Sequence, residues 1–147
     1  MTDRNDITSL GRRLVGAWTS EATHPAVPGT VVLGTAGVEW LEGERLLIWR
    51  ARVDHPDFPD SISILGDTDG LRWHYFDSRG VYRLFALNVT GDGWEIERHV
   101  AASAPDFSQR LTATFADADS TIIGTWQISH DNETWTGDLA ITYRRIT

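Results

Sequence analysis

Histidine and arginine side chains that stand among aromatic residues are the groups of this chain best suited to chemistry. His74 lies between Trp73 and Tyr75 in a run with the composition of a β-strand. If its face of the strand points inward, the imidazole would contact a bound molecule or transfer a proton, as a general base. The alternative is a histidine that is bonded to a polar group of a neighbouring strand.

One candidate anion-binding pair is Tyr143 with Arg145, whose side chains share one face of the last strand by alternation. The second candidate is Arg83 with Tyr75 or His74, because a planar guanidinium matches the two oxygens of a carboxylate. His74 is thus the candidate catalytic residue, and the candidate ligand-binding residues are Trp49, Trp73, His74, Tyr75, Arg83 and Tyr143.

Several common chemistries have no support in the sequence. There is no cysteine, and the five histidines show no His-x-His or His-x-x-x-His spacing, so no metal site is predicted. The Gly-x-Ser-x-Gly, P-loop, Gly-x-Gly-x-x-Gly and His-Glu-x-x-His patterns are absent as well. Hydrolase, nucleotide-binding and zincin functions are therefore not indicated.

The composition favours one cytoplasmic domain over residues 1–147, long enough to bury a core without disulfides. A formal net charge of −8 argues against nucleic acid as a partner. No apolar run reaches the roughly 18 residues that a membrane-spanning helix needs, and the polar start lacks a signal peptide. Seven tryptophans indicate large apolar surfaces inside the protein.

The elements that would position these residues are almost all strands. One short helix is predicted at Asp6–Leu14, with Asp6 as N-cap and Gly11 as a weak point. After it, short β-branched and aromatic runs alternate with tight-turn sequences, which predicts about ten antiparallel strands. The runs are Leu14–Thr23, Thr30–Leu41, Glu44–Val53, Ser61–Gly66, Leu71–Asp77, Val81–Val89, Gly93–Val100, Phe107–Phe115, Thr121–Ser129 and Thr134–Ile146.

Short connections join antiparallel neighbours, so the predicted fold is an all-β, up-and-down barrel, whose closure leaves no free edge. A barrel of this strand number is too wide for side chains alone to fill, so it should enclose a cavity the size of a ligand. The two longer, proline-containing loops at 24–29 and 54–60 are expected to rim that cavity. The sequence does not assign which face of each strand points inward.

Gly16-Ala17-Trp18, which follows a short helix, resembles the opening of the calycin barrels, the lipocalins and fatty-acid-binding proteins. In that superfamily the tryptophan closes one end of the barrel under an arginine of the last strand, which implies a structural role for Gly16, Trp18 and Arg145. Further stretches, among them Glu39–Gly43 and Ser129–Trp135, resemble a bacterial family of lipocalin-like domains of the DUF1579 type, distantly similar to nitrobindin.

Four functional hypotheses follow. The leading one is a barrel that binds a small, largely apolar molecule, with or without a carboxylate. The second is a small-molecule enzyme of isomerase or cyclase type with His74 as the base. The resemblance to nitrobindin adds haem as an alternative cofactor, with His74 and His130 as candidate axial ligands. The last is an interaction module or homodimer that associates through an exposed tryptophan patch.

Overall fold

The computed structural model describes residues 3–101 and 106–146 and shows a closed antiparallel barrel of ten strands preceded by one helix. Consecutive strands are hydrogen-bonded neighbours, and the first strand pairs with the last, so the predicted all-β, up-and-down barrel is confirmed. The elements are α1 Asp3–Leu14, β1 Gly16–Thr23, β2 Val32–Trp40, β3 Leu46–Val53, β4 Ser61–Asp67, β5 Leu71–Asp77, β6 Tyr82–Val89, β7 Gly93–Arg98, β8 Ser108–Ala116, β9 Thr121–Ser129 and β10 Thr136–Arg145.

Helix α1 closes one end of the barrel. Ile7, Leu10 and Leu14 recur at helical spacing and are fully buried, because this face of α1 packs into the barrel end. The helix begins three residues before Asp6, so the predicted N-cap at Asp6 is wrong. Gly11 is required for close packing, since a Cβ atom there would lie 2.1 Å from the ring of Trp40.

Trp18 and Arg145 complete this closed end. The Trp18 indole N–H donates to the carbonyl of Leu14 at 2.9 Å, and the Arg145 guanidinium lies 4.1 Å above the Trp18 ring. Arg145 also donates to the carbonyls of Val15 and Asp119 at 2.9 and 3.3 Å. The structure thus places Trp18 and Arg145 in the structural arrangement expected from the sequence, and it leaves Arg145 no freedom to bind a ligand.

Strand alternation divides each strand into an inner and an outer row. On β3, Leu47 and Trp49 are buried, whereas Arg50 points outward and pairs with Glu39. On β5, Leu71 and Trp73 are buried inside, whereas Arg72, His74 and Phe76 form the outer row. The core therefore lies within the barrel and under α1.

The hairpin turns follow the predicted composition. Gly43, Gly70 and Gly80 have φ of 94°, 96° and 81°, and Asn132 has φ of 64°. Asparagine is one of the few non-glycine residues that accept this left-handed conformation. Among the described residues, no helix is both long and apolar enough to cross a lipid bilayer.

Candidate functional site

A cavity of about 600 Å³ occupies the barrel on the side away from α1. Its walls are inner-row side chains of the strands, and its mouth is formed by the loops at 24–31 and 54–60, which carry His24, Val27, Phe58 and Pro59 into its lining. This volume lies in the range of roughly 300 to 1,000 Å³ that is typical of small-molecule sites. The barrel is thus compatible with ligand binding.

The cavity exists because several inner positions carry very small residues. Ala51, Ser61, Ser63, Ala113 and Gly124 all line it, and they come from β3, β4, β8 and β9. The interior of a ten-stranded barrel is already wide, and small side chains at inner positions widen it further. Small residues on these strands leave the space open.

Aromatic rings form the facing wall. The Trp49 ring centroid lies 5.4 Å from that of Trp73, 6.0 Å from that of Trp94 and 5.3 Å from that of Tyr143. Trp73 and Trp94 are stacked with centroids 6.2 Å apart. These four rings, the aromatic wall, hold one another in fixed orientations, because tilted and edge-to-face contacts between rings are favourable.

Arg83 and Gln109 form a polar corner of the cavity. Arg83 Nη1 donates to Gln109 Oε1 at 2.6 Å, and Arg98 Nη2 donates to the same oxygen at 3.1 Å. Arg98 is also paired with Asp106 at 3.0 Å. Among the described residues, no carboxylate lies within salt-bridge distance of Arg83, and its hydrogen-bonded side-chain partner is the neutral amide of Gln109. The Arg83 guanidinium also lies 5.2 Å from the centroid of the Phe107 ring, and Asp106 attracts it over a longer distance.

A second polar group lies beside this corner at the β5–β6 turn. The Tyr75 hydroxyl donates to Asp77 at 2.9 Å, and Arg79 pairs with the same carboxylate at 2.6 Å. The Asp77 side chain is fully buried, yet bonds from Arg79, from Tyr75 and from backbone N–H groups lower its pKa to about 2. Burial, and then the bond to Asp77, raises the pKa of Tyr75. The Asp77 charge is therefore satisfied within the turn.

A hydrogen bond between His24 and Asp138 connects the two sides of the mouth. His24 Nε2 lies 2.7 Å from Asp138 Oδ1, and the backbone N–H of Ala26 donates to His24 Nδ1 at 3.0 Å. Because the backbone donor fixes Nδ1 as the acceptor, the ring proton on Nε2 donates to Asp138. A smaller pocket of about 340 Å³ outside this point shares His24, Val27, Phe58 and Leu139 with the main cavity. Those four residues form the partition between the two spaces.

Five of the six candidate ligand-binding residues line the cavity, and the sixth, His74, does not. The five are Trp49, Trp73, Tyr75, Arg83 and Tyr143. Tyr143 and Arg145 do not form the predicted pair, because Arg145 is engaged at the closed end by backbone carbonyls. The burial of the Tyr143 phenol raises its pKa, so the hydroxyl keeps its proton at neutral pH.

His74 faces the outer surface of β5. Its Nε2 lies 2.8 Å from Thr68 Oγ1, its Nδ1 lies 2.9 Å from the Tyr82 hydroxyl, and its cross-strand neighbours are Ile64 and Leu84. The interpretation of His74 as an inward imidazole is therefore wrong, since Trp73 and Tyr75 take the inner face of β5. A base at position 74 cannot reach a molecule in the cavity.

The histidines do not fit an axial role for haem in this cavity. His130 is exposed and contacts the Phe107 ring, and His74 lies outside the barrel. Among the described residues, His24 is the one histidine that lines the cavity, and both of its ring nitrogens are already bonded. Groups of three or more His, Asp or Glu side chains that could hold a metal ion are also absent from the part of the chain that the structure describes.

All seven tryptophans are buried or half-buried, so the expected exposed tryptophan patch is wrong. An exposed apolar area does occur on the outer face of β4–β6, but other residues form it: Ile62, Phe76, Tyr82 and Leu84.

Sequence reasoning missed Trp94, Gln109 and the His24–Asp138 pair. Trp94 had a readable signal, because Glu95 and Glu97 mark the solvated face of β7 and leave Trp94 and Ile96 for the inner face. Gln109 alternates with Leu111 and Ala113 in the same way. The pairing of His24 with Asp138 depends on the closure of β1 against β10 and has no local signal.

Comparison with known proteins supports the fold alone. Neither a protein-family model nor a curated protein matches this chain. Among solved structures, the crystal structure of Rv2717c from M. tuberculosis is similar, with a TM-score of 0.66 and 14% sequence identity over 96% of this chain and 98% of that chain. At this identity the similarity describes the barrel and its strand order, and function has to be argued from the site.

Proposed function

We propose that the barrel binds a small, largely apolar molecule in its interior and holds an anionic group of that molecule at Arg83. The observation that carries the proposal is the charge of Arg83, which faces the cavity and is bonded to the neutral amide of Gln109. A half-buried guanidinium that forms no hydrogen bond to a carboxylate has lost part of its hydration, and a neutral amide, a ring face and the more distant Asp106 compensate this loss only in part. An anionic ligand group would supply the missing partner.

The remaining surface of the cavity supports an apolar body for the ligand. The aromatic wall of Trp49, Trp73, Trp94 and Tyr143 offers large ring surfaces, and Leu111 and Ile141 add aliphatic ones. The polar side chains of the lining stand at separate places among these apolar surfaces: Ser61, Ser63, Tyr75, Arg79, Arg83, Gln109, Tyr143 and the His24–Asp138 pair. Apolar walls with placed polar groups are typical of sites where burial gives affinity and a charge sets orientation.

Two fluorescent probes that differ by one charge test this proposal. Anilinonaphthalene sulfonate carries a sulfonate, and N-phenylnaphthylamine has the same ring system without it. We expect Arg83→Met to weaken binding of the sulfonate about tenfold to a hundredfold, the loss of one or two charge-assisted hydrogen bonds, and to leave the neutral probe unchanged. Binding is measured by titration of probe fluorescence.

Arg50→Met is the matched control, because Arg50 lies on the outer face of β3 and pairs with Glu39. It should bind both probes as the unaltered protein does. Absence of saturable binding of either probe would refute an interior binding site. Equal losses for both probes in Arg83→Met would refute the role of Arg83 as the anion contact.

A further inference from the structure

We propose that the ligand is a planar aromatic acid with additional oxygen acceptors on its rings, in preference to an alkyl-chain acid. This inference rests on the proposed function and narrows the chemical class of the molecule that the cavity takes. Two independent features of the cavity lead to it: the arrangement of its rings and an excess of hydrogen-bond donors.

The first feature is the rigidity of the aromatic wall. Trp49 contacts Trp73, Trp94 and Tyr143 with centroids 5.3 to 6.0 Å apart, so none of these rings can turn without displacing another. Rings that are fixed in this way offer flat faces and edges at set angles. A planar ligand gains ring–ring contacts there beyond the burial of its area, whereas an alkyl chain gains burial alone.

Conformational entropy favours the same class of ligand. A flexible chain must freeze many torsions to enter a cavity whose aromatic wall is rigid. A fused-ring acid has almost no rotatable torsions to lose. Flexible methionine side chains adapt well to alkyl chains, and the single methionine of this chain is Met1.

The second feature is a set of donors without protein acceptors. The Tyr143 hydroxyl makes no hydrogen bond to another described residue, and its raised pKa keeps it protonated. At Gln109, two arginine donors require the carbonyl oxygen, so the amide nitrogen lies on the other side with no described acceptor.

The Tyr143 hydroxyl, the Gln109 amide and Arg83 all belong to residues that line one cavity. A hydrocarbon tail would bury them without acceptors, and each buried donor left unpaired is unfavourable. Carbonyl, ether or phenolate oxygens on an aromatic ligand would satisfy them. The donor excess therefore calls for a ligand that is rich in acceptors along its body as well as at its acidic end.

Three acids with matched carbon number test the inference: pentadecanoate, anthracene carboxylate and anthraquinone carboxylate. Each is titrated as a competitor of anilinonaphthalene sulfonate on the intact protein. We expect anthraquinone carboxylate to displace the probe at concentrations about tenfold lower than anthracene carboxylate and about a hundredfold lower than pentadecanoate. In Tyr143→Phe, the advantage of anthraquinone over anthracene should shrink, because the phenol that donates to a ring oxygen is gone.

Tyr82→Phe is the control for that variant, since Tyr82 lies on the outer surface and is 51% exposed. If the sulfonate probe itself does not bind, the proposed function fails first. If the probe binds and pentadecanoate competes as well as the ring acids, the binding function stands and the aromatic class is wrong. If the two ring acids compete equally in the unaltered protein, the acceptor requirement is wrong.

Discussion

Asp77 shows at the scale of one residue how a buried carboxylate is stabilised beside the cavity. It accepts bonds from Tyr75, Arg79 and backbone N–H groups, and its pKa is lowered from 3.8 to about 2. The native state therefore binds its proton more weakly than the unfolded chain does. By linkage, this stabilisation is complete above pH 3.8 and is lost as the pH falls through about 2.

We expect Asp77→Asn to lower the free energy of unfolding by about 2 kcal/mol at neutral pH, because a charged acceptor for several buried bonds is lost. The measurement is urea unfolding at a series of pH values. The difference from the unaltered protein should narrow as the pH falls from 4 towards 2. Asp69→Asn, at an exposed turn position with φ of 73°, should change the free energy of unfolding little. A difference that stays constant with pH would contradict the role given to the charge.

His74 shows, at the same scale, that the sequence of one strand does not determine which of its side chains point inward. Trp73, His74 and Tyr75 are all plausible inner residues, and shifting the choice by one position exchanges the two faces. The pattern of β5 alone is amphipathic on both sides, so the choice depends on Leu65 and Phe85, the residues opposite Trp73 on the neighbouring strands. That information is not local. The types of the site residues could be predicted from the sequence, whereas the side on which His74 stands could not.

At the scale of elements, the β1–β2 loop and β10 are joined by the His24–Asp138 contact at the mouth. Within the loop, the Val27 and Thr30 amides donate to the carbonyls of His24 and Val27 at 3.1 and 3.2 Å. Apart from these bonds and the packing of Val27 in the partition, the loop is mostly exposed. The hydrogen bond from His24 to the Asp138 carboxylate is therefore expected to set how often the loop opens.

We predict that Asp138→Asn increases the hydrogen-exchange rates of the Val27 and Thr30 amides several-fold, because the neutral amide holds His24 less strongly. Exchange is followed by NMR or mass spectrometry. Amides in the middle of β8 serve as an internal control and should exchange as before. Unchanged loop rates would show that packing of Val27, Phe58 and Leu139 alone keeps the mouth closed.

The elements themselves were largely predictable, and the reason is visible in particular turns. Asp67–Gly70 and Ser78–Gly80 carry glycine where the backbone has positive φ, and each separates two alternating runs. The start of α1 was not predictable from Asp6, since the helix continues to Asp3. The sequence predicts Gly11 as a weak point of the helix, and the structure shows that its missing side chain makes room for the Trp40 ring.

At the scale of the whole molecule, the cavity is space that the side chains of the barrel leave open, and a larger side chain on an inner position would occupy part of it. Ala51 lies on the inner face of β3 and lines the cavity, whereas Ala86 is exposed on the outer face of β6. We expect Ala51→Phe to weaken binding of anilinonaphthalene sulfonate more than about tenfold. The free energy of unfolding should be kept or raised, because the added ring buries apolar area in existing space.

Ala86→Phe adds the same ring outside the barrel and should leave probe affinity unchanged. Probe titration and urea unfolding of both variants give the comparison. Retained affinity in Ala51→Phe, in a variant that is folded by circular dichroism, would place the probe outside the interior.

The pairing of β1 with β10 also bears on how the chain is made. Trp18 and Arg145 are opposite each other in that pair although they lie near opposite ends of the described chain. On the ribosome, β1 emerges early and must wait for almost all other strands before its second partner arrives, so its outer edge stays open to other nascent chains. Barrel closure is then a late step that joins strands far apart in the sequence. Synthesis that pauses before β10 would leave the edges of β1 and β9 unpaired.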